Sequence, residues 1–213
     1  MTESRLRLLV ATRNRGKLQE FRRLLAESPY DVVGLDELGI STEVEETGNT
    51  FDENARLKAE AYLKASGELT LADDSGLEVG ALDGAPGVYS ARYGGEGLDD
   101  RGRVTHLLNQ LAAVPGWKRT ARFRAVLALA GPGVPGGVIT TEGVVEGAIA
   151  HQPIGENGFG YDPVFWIPSL AKTTAELSPD AKDAVSHRGA AAREMAGILL
   201  EMTPSQQGQG PAR

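Results

Sequence analysis

Residues 6–25 read LRLLVATRNRGKLQEFRRLL. The apolar run Leu6 to Ala11 breaks into a polar, glycine-containing segment, Thr12-Arg13-Asn14-Arg15-Gly16-Lys17. Leu18, Phe21, Leu24 and Leu25 then recur at spacings of three and four, the period of an amphipathic helix. A second apolar run, Tyr30 to Leu35, follows Ser28-Pro29. Strand, loop, helix, strand predicts an α/β fold. A loop opening onto a helix offers free backbone N–H groups at the positive end of the helix dipole. Asn14, Arg15 and Lys17 add side-chain donors, so an anionic group such as phosphate suits the segment. It is not a Walker loop, because Ala11 stands where the first glycine belongs and Leu18 replaces the Ser/Thr. Taken alone, it reads equally well as a solvated basic turn.

Outward from this unit, Thr50 and Glu53 have capping-box spacing and start a helix that runs to about Ser66, with Gly67 as its stop. Asn54 and Lys58, four apart, share one face of it. Leu69 to Ala72 is predicted as a strand with Asp73-Asp74-Ser75-Gly76 at its C-terminal end, and Leu77 to Leu82 as another short strand. Asp99 to Ala112 has a helical stripe. Arg119 to Ala130 and Val138 to Ala150 read as long strands joined by a glycine- and proline-rich turn, a β-hairpin. Ser178-Pro179 is an N-cap with proline behind it, and His187 to Met202 is the final helix. We expect one domain over 1–202 and a disordered tail over 203–213.

The composition narrows the class of protein. The 213 residues are 41% hydrophobic and 24% charged, a globular balance. There is no cysteine, hence no disulfide framework, thiolate metal site or cysteine nucleophile. The longest clean apolar run, Ala125 to Ala130, is far short of a bilayer span. The first residues do not read as a signal peptide, and a cytoplasmic protein is expected. A net charge of −7 disfavours general nucleic-acid binding, which rests on neutralising phosphates.

Three more segments could carry chemistry. Asp73 and Asp74 sit where open α/β sheets bind ligands, and adjacent strand residues face opposite ways, so one of the two is expected in any given cleft. Mg2+ takes one or two carboxylates plus waters and substrate phosphates, and Glu46 is a candidate second acid. Phe159-Gly160-Tyr161-Asp162 sets an aromatic ring in flexible backbone, suited to stacking on a flat ligand. Ser186-His187-Arg188 opens the last helix with Lys182 one turn before it, and Arg188 brings a fixed fork of donors. Each has a plain structural reading: an Asx turn, a packed aromatic, a capped helix. Together they outline a nucleotide site.

Leu9 to Lys17, Glu46-Thr47-Gly48, Phe51 to Lys58, Ala72 to Leu77, Gly84 to Tyr93, Gly158 to Pro163 and Ser186 to Gly189, in this order, resemble the inosine triphosphate pyrophosphatase family. The resemblance implies an elongated, long mixed β-sheet flanked by helices, with two lobes and a substrate groove between them. It implies Mg2+-dependent hydrolysis of deaminated purine nucleoside triphosphates (ITP, dITP, XTP) to the monophosphate and pyrophosphate, which cleanses the nucleotide pool, and it implies a homodimer. By motif position Asp74 is the general base and a metal ligand, with a low pKa expected of a metal-bound carboxylate, and Glu46 is the companion ligand. Thr12, Asn14, Lys17 and Lys58 hold phosphates; Asn54 and Ser75 support them. Phe159 stacks on the base, Asp162 accepts at its Watson–Crick edge and Arg188 donates to its 6-oxo group. Gly16, Gly160, Tyr161, Lys182 and His187 complete the substrate site. Arg13 stands where the family commonly has glycine, so it points outward or adds a phosphate contact. The nearest alternatives are a Maf-type pyrophosphatase, whose opening signature differs, and a nucleotide-binding module without catalysis.

Overall fold

A computed structural model describes residues 6–95 and 97–202; the tail expected over 203–213 lies outside them. The opening unit folds as its pattern predicts. Strand β1 (Leu6–Val10) alternates faces, with Leu8 and Val10 in one core and Leu9 in another. Helix α1 (Arg15–Leu24) is capped by Asn14, whose side chain accepts the Lys17 N–H at 3.0 Å. Strand β2 (Tyr30–Gly34) lies parallel to β1. Helix α2 (Phe51–Ser66) starts at Thr50 and stops at Gly67, whose φ of 71° is the left-handed region glycine favours. The cap differs from the expected box in one respect. Thr50 accepts the Glu53 N–H, but the Glu53 carboxylate takes the N–H of Asn49, so the reciprocal bond reaches one residue further back.

Strand β3 (Leu69–Val79) is continuous, which corrects the expected break at Ala72. Aspartate, serine and glycine favour a turn, but here Asp73, Asp74, Ser75 and Gly76 pair with Leu127, Val126, Ala125 and Arg124 of the antiparallel strand β4 (Thr120–Ala130). The carboxylates are tolerated mid-strand because cations meet them on both faces. β3 ends at Val79, and Gly80–Leu82 is a 3-10 turn. On its other edge β3 pairs with β1 only through Leu69–Leu71. Among the described residues, that edge from Asp73 onward pairs with no further strand and makes only an isolated bridge between Glu78 and Pro86, and the phosphate-loop candidate lies beside it.

After helix α3 (Asp100–Gln110), β4 and strand β5 (Val138–Ile149) form the expected hairpin. Two strands too short to leave a pattern follow, β6 (Phe165–Ile167) and β7 (Lys172–Thr173). The sheet order is β2-β1-β3-β4-β5-β6-β7, parallel at the β2-β1-β3 end and antiparallel beyond: an open mixed sheet with helices on both faces. Helices α4 (Pro179–Val185) and α5 (His187–Met202) close the chain. α5 crosses β5 at Gly143, where a Cβ would overlap the His187 carbonyl and press on the Ala191 amide.

The core has three parts. Phe21 and Leu25 of α1 and Met195 and Leu199 of α5 pack on one sheet face. Ala55, Ala59 and Tyr62 of α2 pack on the other. Leu77, Phe123, Leu107 and Phe165 gather at the far end of the long strands. Each fully buried Phe or Leu contributes about 1.5–3 kcal/mol.

Candidate active site

The two aspartates point to opposite faces of β3, as alternation requires. On the α1/α5 face, Asp73 meets Lys17 Nζ at 2.8 Å and Arg188 Nε at 3.3 Å. Burial pushes its carboxyl up, but the Lys17 and Arg188 charges outweigh this and hold it far below the usual range. Arg188 also donates to Ser75 Oγ at 2.9 Å and to Glu20 Oε2 at 2.6 Å. Glu20 Oε1 accepts from Lys182 at 2.8 Å, and Lys182 reaches Asp162 Oδ2 at 2.5 Å. Three carboxylates and three cations thus form one buried network joining α1, β3, α4 and α5. Burial raises the Glu20 carboxyl, and its two cations more than reverse that.

On the α2 face, Asp74 meets Lys58 Nζ at 2.9 Å and Asn54 Nδ2 at 3.3 Å. Lys58 also donates to Glu46 at 2.6 Å and to the Asp73 carbonyl at 2.8 Å. Asn54 is fully buried and its Oδ1 accepts the Gly48 N–H, which fixes the loop carrying Glu46. Burial and the Glu46 charge raise the Asp74 carboxyl above the usual range, the neighbouring Lys58 notwithstanding. Glu46 is shifted the other way: burial raises it, and Lys58 more than compensates.

Two clefts meet here. One, of about 640 Å³, is lined by Lys17, Ser75, Phe123, Phe159, His187 and Arg188. The other, of about 780 Å³, is lined by Thr12, Asn14, Lys17, Glu46, Lys58 and Asp73. Both share Asn14 and Lys17, so a single groove runs from the aromatic end to the carboxylate end.

Phe159 lies against the phosphate-loop candidate: a Cβ on Gly16 would come within 2.6 Å of its ring. Lys182 and Arg188 lie 4.7 and 5.6 Å from the ring centroid. The loop is held by Asp100 of α3, which accepts the Gly160 N–H at 2.8 Å, and by Asp162, which accepts the Phe159 N–H at 2.8 Å and the Thr174 hydroxyl at 2.9 Å. Both Asp162 oxygens are therefore engaged within the protein. The buried Tyr161 hydroxyl donates to the Ser90 carbonyl. His187 stacks on Phe123 with centroids 4.7 Å apart; burial keeps it neutral, and its Nδ1 has no hydrogen-bond partner.

Arg13 lines the second cleft, but its guanidinium donates to the carbonyls of Ile40 and Thr42 and to Asp36. Arg15 is exposed on a separate surface beside Arg22 and Glu37. Glu20 and Asp100 were missed. Glu20 left one signal, an acid three residues after Lys17 and next to Phe21, on the buried side of α1.

Among the described residues no three His, Cys, Asp or Glu gather as a protein-only metal site. Glu46 and Asp74 do converge, each with an oxygen within 3 Å of one atom, Lys58 Nζ. Two carboxylates beside a cleft with phosphate donors is the donor set Mg2+ uses.

A sequence profile of the Ham1 family matches residues 8–198. The chain belongs to the Ham1 family. A dITP/XTP pyrophosphatase of Bacillus subtilis is 48% identical over 191 residues, covering 90% of this chain and 96% of the relative. One from Desulforamulus reducens is 50% identical over 194 residues, covering 91% and 96%. Among solved structures, a HAM1 protein from Coxiella burnetii superposes with a TM-score of 0.83 at 42% identity, covering 92% of this chain and 99% of that one. The Staphylococcus aureus Ham1 protein gives 0.79 at 44%, covering 91% and 97%. The Ham1 match reaches every strand of the sheet, and the residues lining both clefts fall inside it.

Proposed function

We propose that this Ham1-family chain hydrolyses deaminated purine nucleoside triphosphates, ITP, dITP and XTP, between the α and β phosphates, releasing the monophosphate and pyrophosphate. The observation that carries this is the pair of adjoining clefts that share Asn14 and Lys17: a ring and donors at one end, cations in the middle, and Glu46 at the other, with Asp74 behind it across Lys58. The base lies on Phe159. The phosphates follow Thr12, Asn14 and Lys17 toward Glu46 and Asp74, and Lys17, held by Asp73, offers fixed charge with little reorganisation. Mg2+ held by Glu46 and Asp74 would neutralise phosphate charge and acidify water. Asp74, held beside Lys58 and Asn54, takes the proton of the water that attacks the α-phosphorus, and the bond from that phosphorus to the pyrophosphate breaks.

Base choice follows from donors. Arg188 has two of its five N–H groups left after Asp73, Glu20 and Ser75, and a 6-oxo purine accepts from them. Adenine presents an amino donor there, and unpaired buried donors reject such an analogue by orders of magnitude. Asp162 serves this reading as the anchor of the Phe159 loop, not as a free acceptor. The remaining expectations belong to the same proposal: a homodimer, a cytoplasmic setting and action on free nucleotides. Among the described residues no helix is long and apolar enough to cross a membrane.

The test is product analysis with Mg2+ and ITP, XTP, GTP and ATP separately. Monophosphate plus pyrophosphate from the first two, and little from the others, is the expected result. Equal turnover of all four would discard the base-reading residues, and no turnover would discard the reaction. Asp74→Asn should lower turnover by about 100-fold or more with its melting temperature retained.

A further inference from the structure

An ammonium has three N–H donors, and in Lys58 all three are spent inside the protein: on Glu46 Oε1 at 2.6 Å, the Asp73 carbonyl at 2.8 Å and Asp74 Oδ1 at 2.9 Å. Lys58 is 8% exposed. To touch a phosphate it must give up at least one of these partners. The partner given up would be left short of a bond, and two carboxylates close together are left short of positive charge. The oxygens Lys58 holds are also those best placed to hold a divalent ion. One set of oxygens thus faces two claimants, a monovalent cation built into α2 and a divalent one from solution.

We propose that Lys58 and the divalent ion exchange places. The ammonium keeps Glu46 and Asp74 together in the free protein. When metal arrives with the triphosphate it takes those two carboxylates, and Lys58 swings to the phosphates. This rests on the reading of Glu46 and Asp74 as the metal pair. Its consequence is coupling: metal alone must displace a fully bonded lysine, whereas metal with nucleotide offers that lysine new acceptors. Of the neighbouring cations, Arg92 lies 3.4 Å from the other Glu46 oxygen, and Lys17 and Arg188 are bound to Asp73, whose side chain is on the opposite face of β3.

The experiment uses Mn2+ alone as probe, counting free ion by electron paramagnetic resonance, with the full chain as wild type, Lys58→Met, Glu46→Gln, and Lys58→Met combined with Glu46→Gln. Lys58→Met should bind Mn2+ at least tenfold tighter than wild type, and Glu46→Gln should abolish the gain. Equal or weaker binding by Lys58→Met, or a gain that survives Glu46→Gln, overturns the exchange. If Glu46→Gln weakens wild-type binding while Lys58→Met adds nothing, the exchange is wrong and the metal pair stands. If no variant alters Mn2+ binding, both fall. Should Lys58→Met not fold, the wild type answers by itself. With lysine side chains 15N-labelled, Mg2+ titration should shift the Lys58 ammonium resonance as the ion saturates, and a resonance that stays in place at saturating Mg2+ overturns the proposal.

Discussion

Removing the Glu20 carboxylate should cost far more stability than any surface acid. Its two oxygens hold Lys182 at 2.8 Å and Arg188 at 2.6 Å, and all three side chains are buried. Glu20→Ala leaves Lys182 with Asp162, and Arg188 with Asp73 and Ser75, so neither cation is stripped bare. Two buried ion pairs are still lost at once. Breaking a buried pair from one side costs about 3–5 kcal/mol, and the surviving partners keep the sum within that range. At about 2–4 °C per kcal/mol for a chain of this size, the melting temperature should fall by roughly 6–20 °C. Glu20→Gln keeps the shape and one acceptor, and should lose about 1.5–3 kcal/mol. The control is Glu142→Ala, which breaks the partly exposed pair with Arg124 and should cost about 0–1 kcal/mol. Urea unfolding of the three variants decides the matter. A Glu20→Ala loss within about 1 kcal/mol of the control would refute the claim that this network bears on stability.

Three further outcomes are expected. His187 is kept neutral in the fold by burial, so the unfolded chain takes up its proton first; stability should fall as pH drops below about 6.5, by up to about 1.4 kcal/mol per pH unit, and His187→Gln should flatten urea-derived stability between pH 6.5 and 5. Below about pH 4.3 the lowered Glu20, Glu46 and Asp73 carboxyls add a second loss in the same direction, and Glu20→Gln should make that acid limb shallower. Gly143→Ala forces a methyl against the α5 backbone and should cost about 1–3 kcal/mol by overpacking, again read by urea unfolding. Arg13→Gly should leave the KM for ITP within about threefold, since Arg13 donates to Ile40 and Thr42, whereas Lys17→Ala should raise it about tenfold or more, as loss of a charged contact does; steady-state kinetics separate the two.

The elements with a full period of their own were legible in the sequence. α2 and α5 end where capping and periodicity place them, and β1, β4 and β5 agree with their apolar runs to within a residue or two. What failed did so where tertiary charge overrode local preference. Asp73-Asp74-Ser75-Gly76 reads as a turn until Lys17, Arg188 and Lys58 are known to surround it, and none of these is a sequence neighbour. The same remoteness hid Glu20, whose partners lie more than 160 positions away. Without metal, burial beside Glu46 raises the Asp74 carboxyl, an effect of tertiary packing that the local sequence does not carry. The short β6 and β7 carry too few residues to show any alternation. Asp162, polar in a glycine-rich loop that lines the first cleft, also anchors that loop through the Phe159 N–H, the Thr174 hydroxyl and Lys182, partners the local sequence does not show.

The half-open edge of β3 bears on solubility. A central strand with one bare side is a template on which another chain can add a strand and begin to aggregate. Here the first exposed carbonyl, that of Asp73, is taken by Lys58, and further along the Leu77 N–H donates to Ser90 Oγ and the Val79 N–H to the Ala85 carbonyl. Lys58, gathered for chemistry, thus also guards the sheet edge, with the Ser90 hydroxyl and the Ala85 carbonyl covering the rest. Replacing Lys58 by an apolar residue would remove a phosphate donor and, with the same change, free the Asp73 carbonyl for the N–H of a foreign strand.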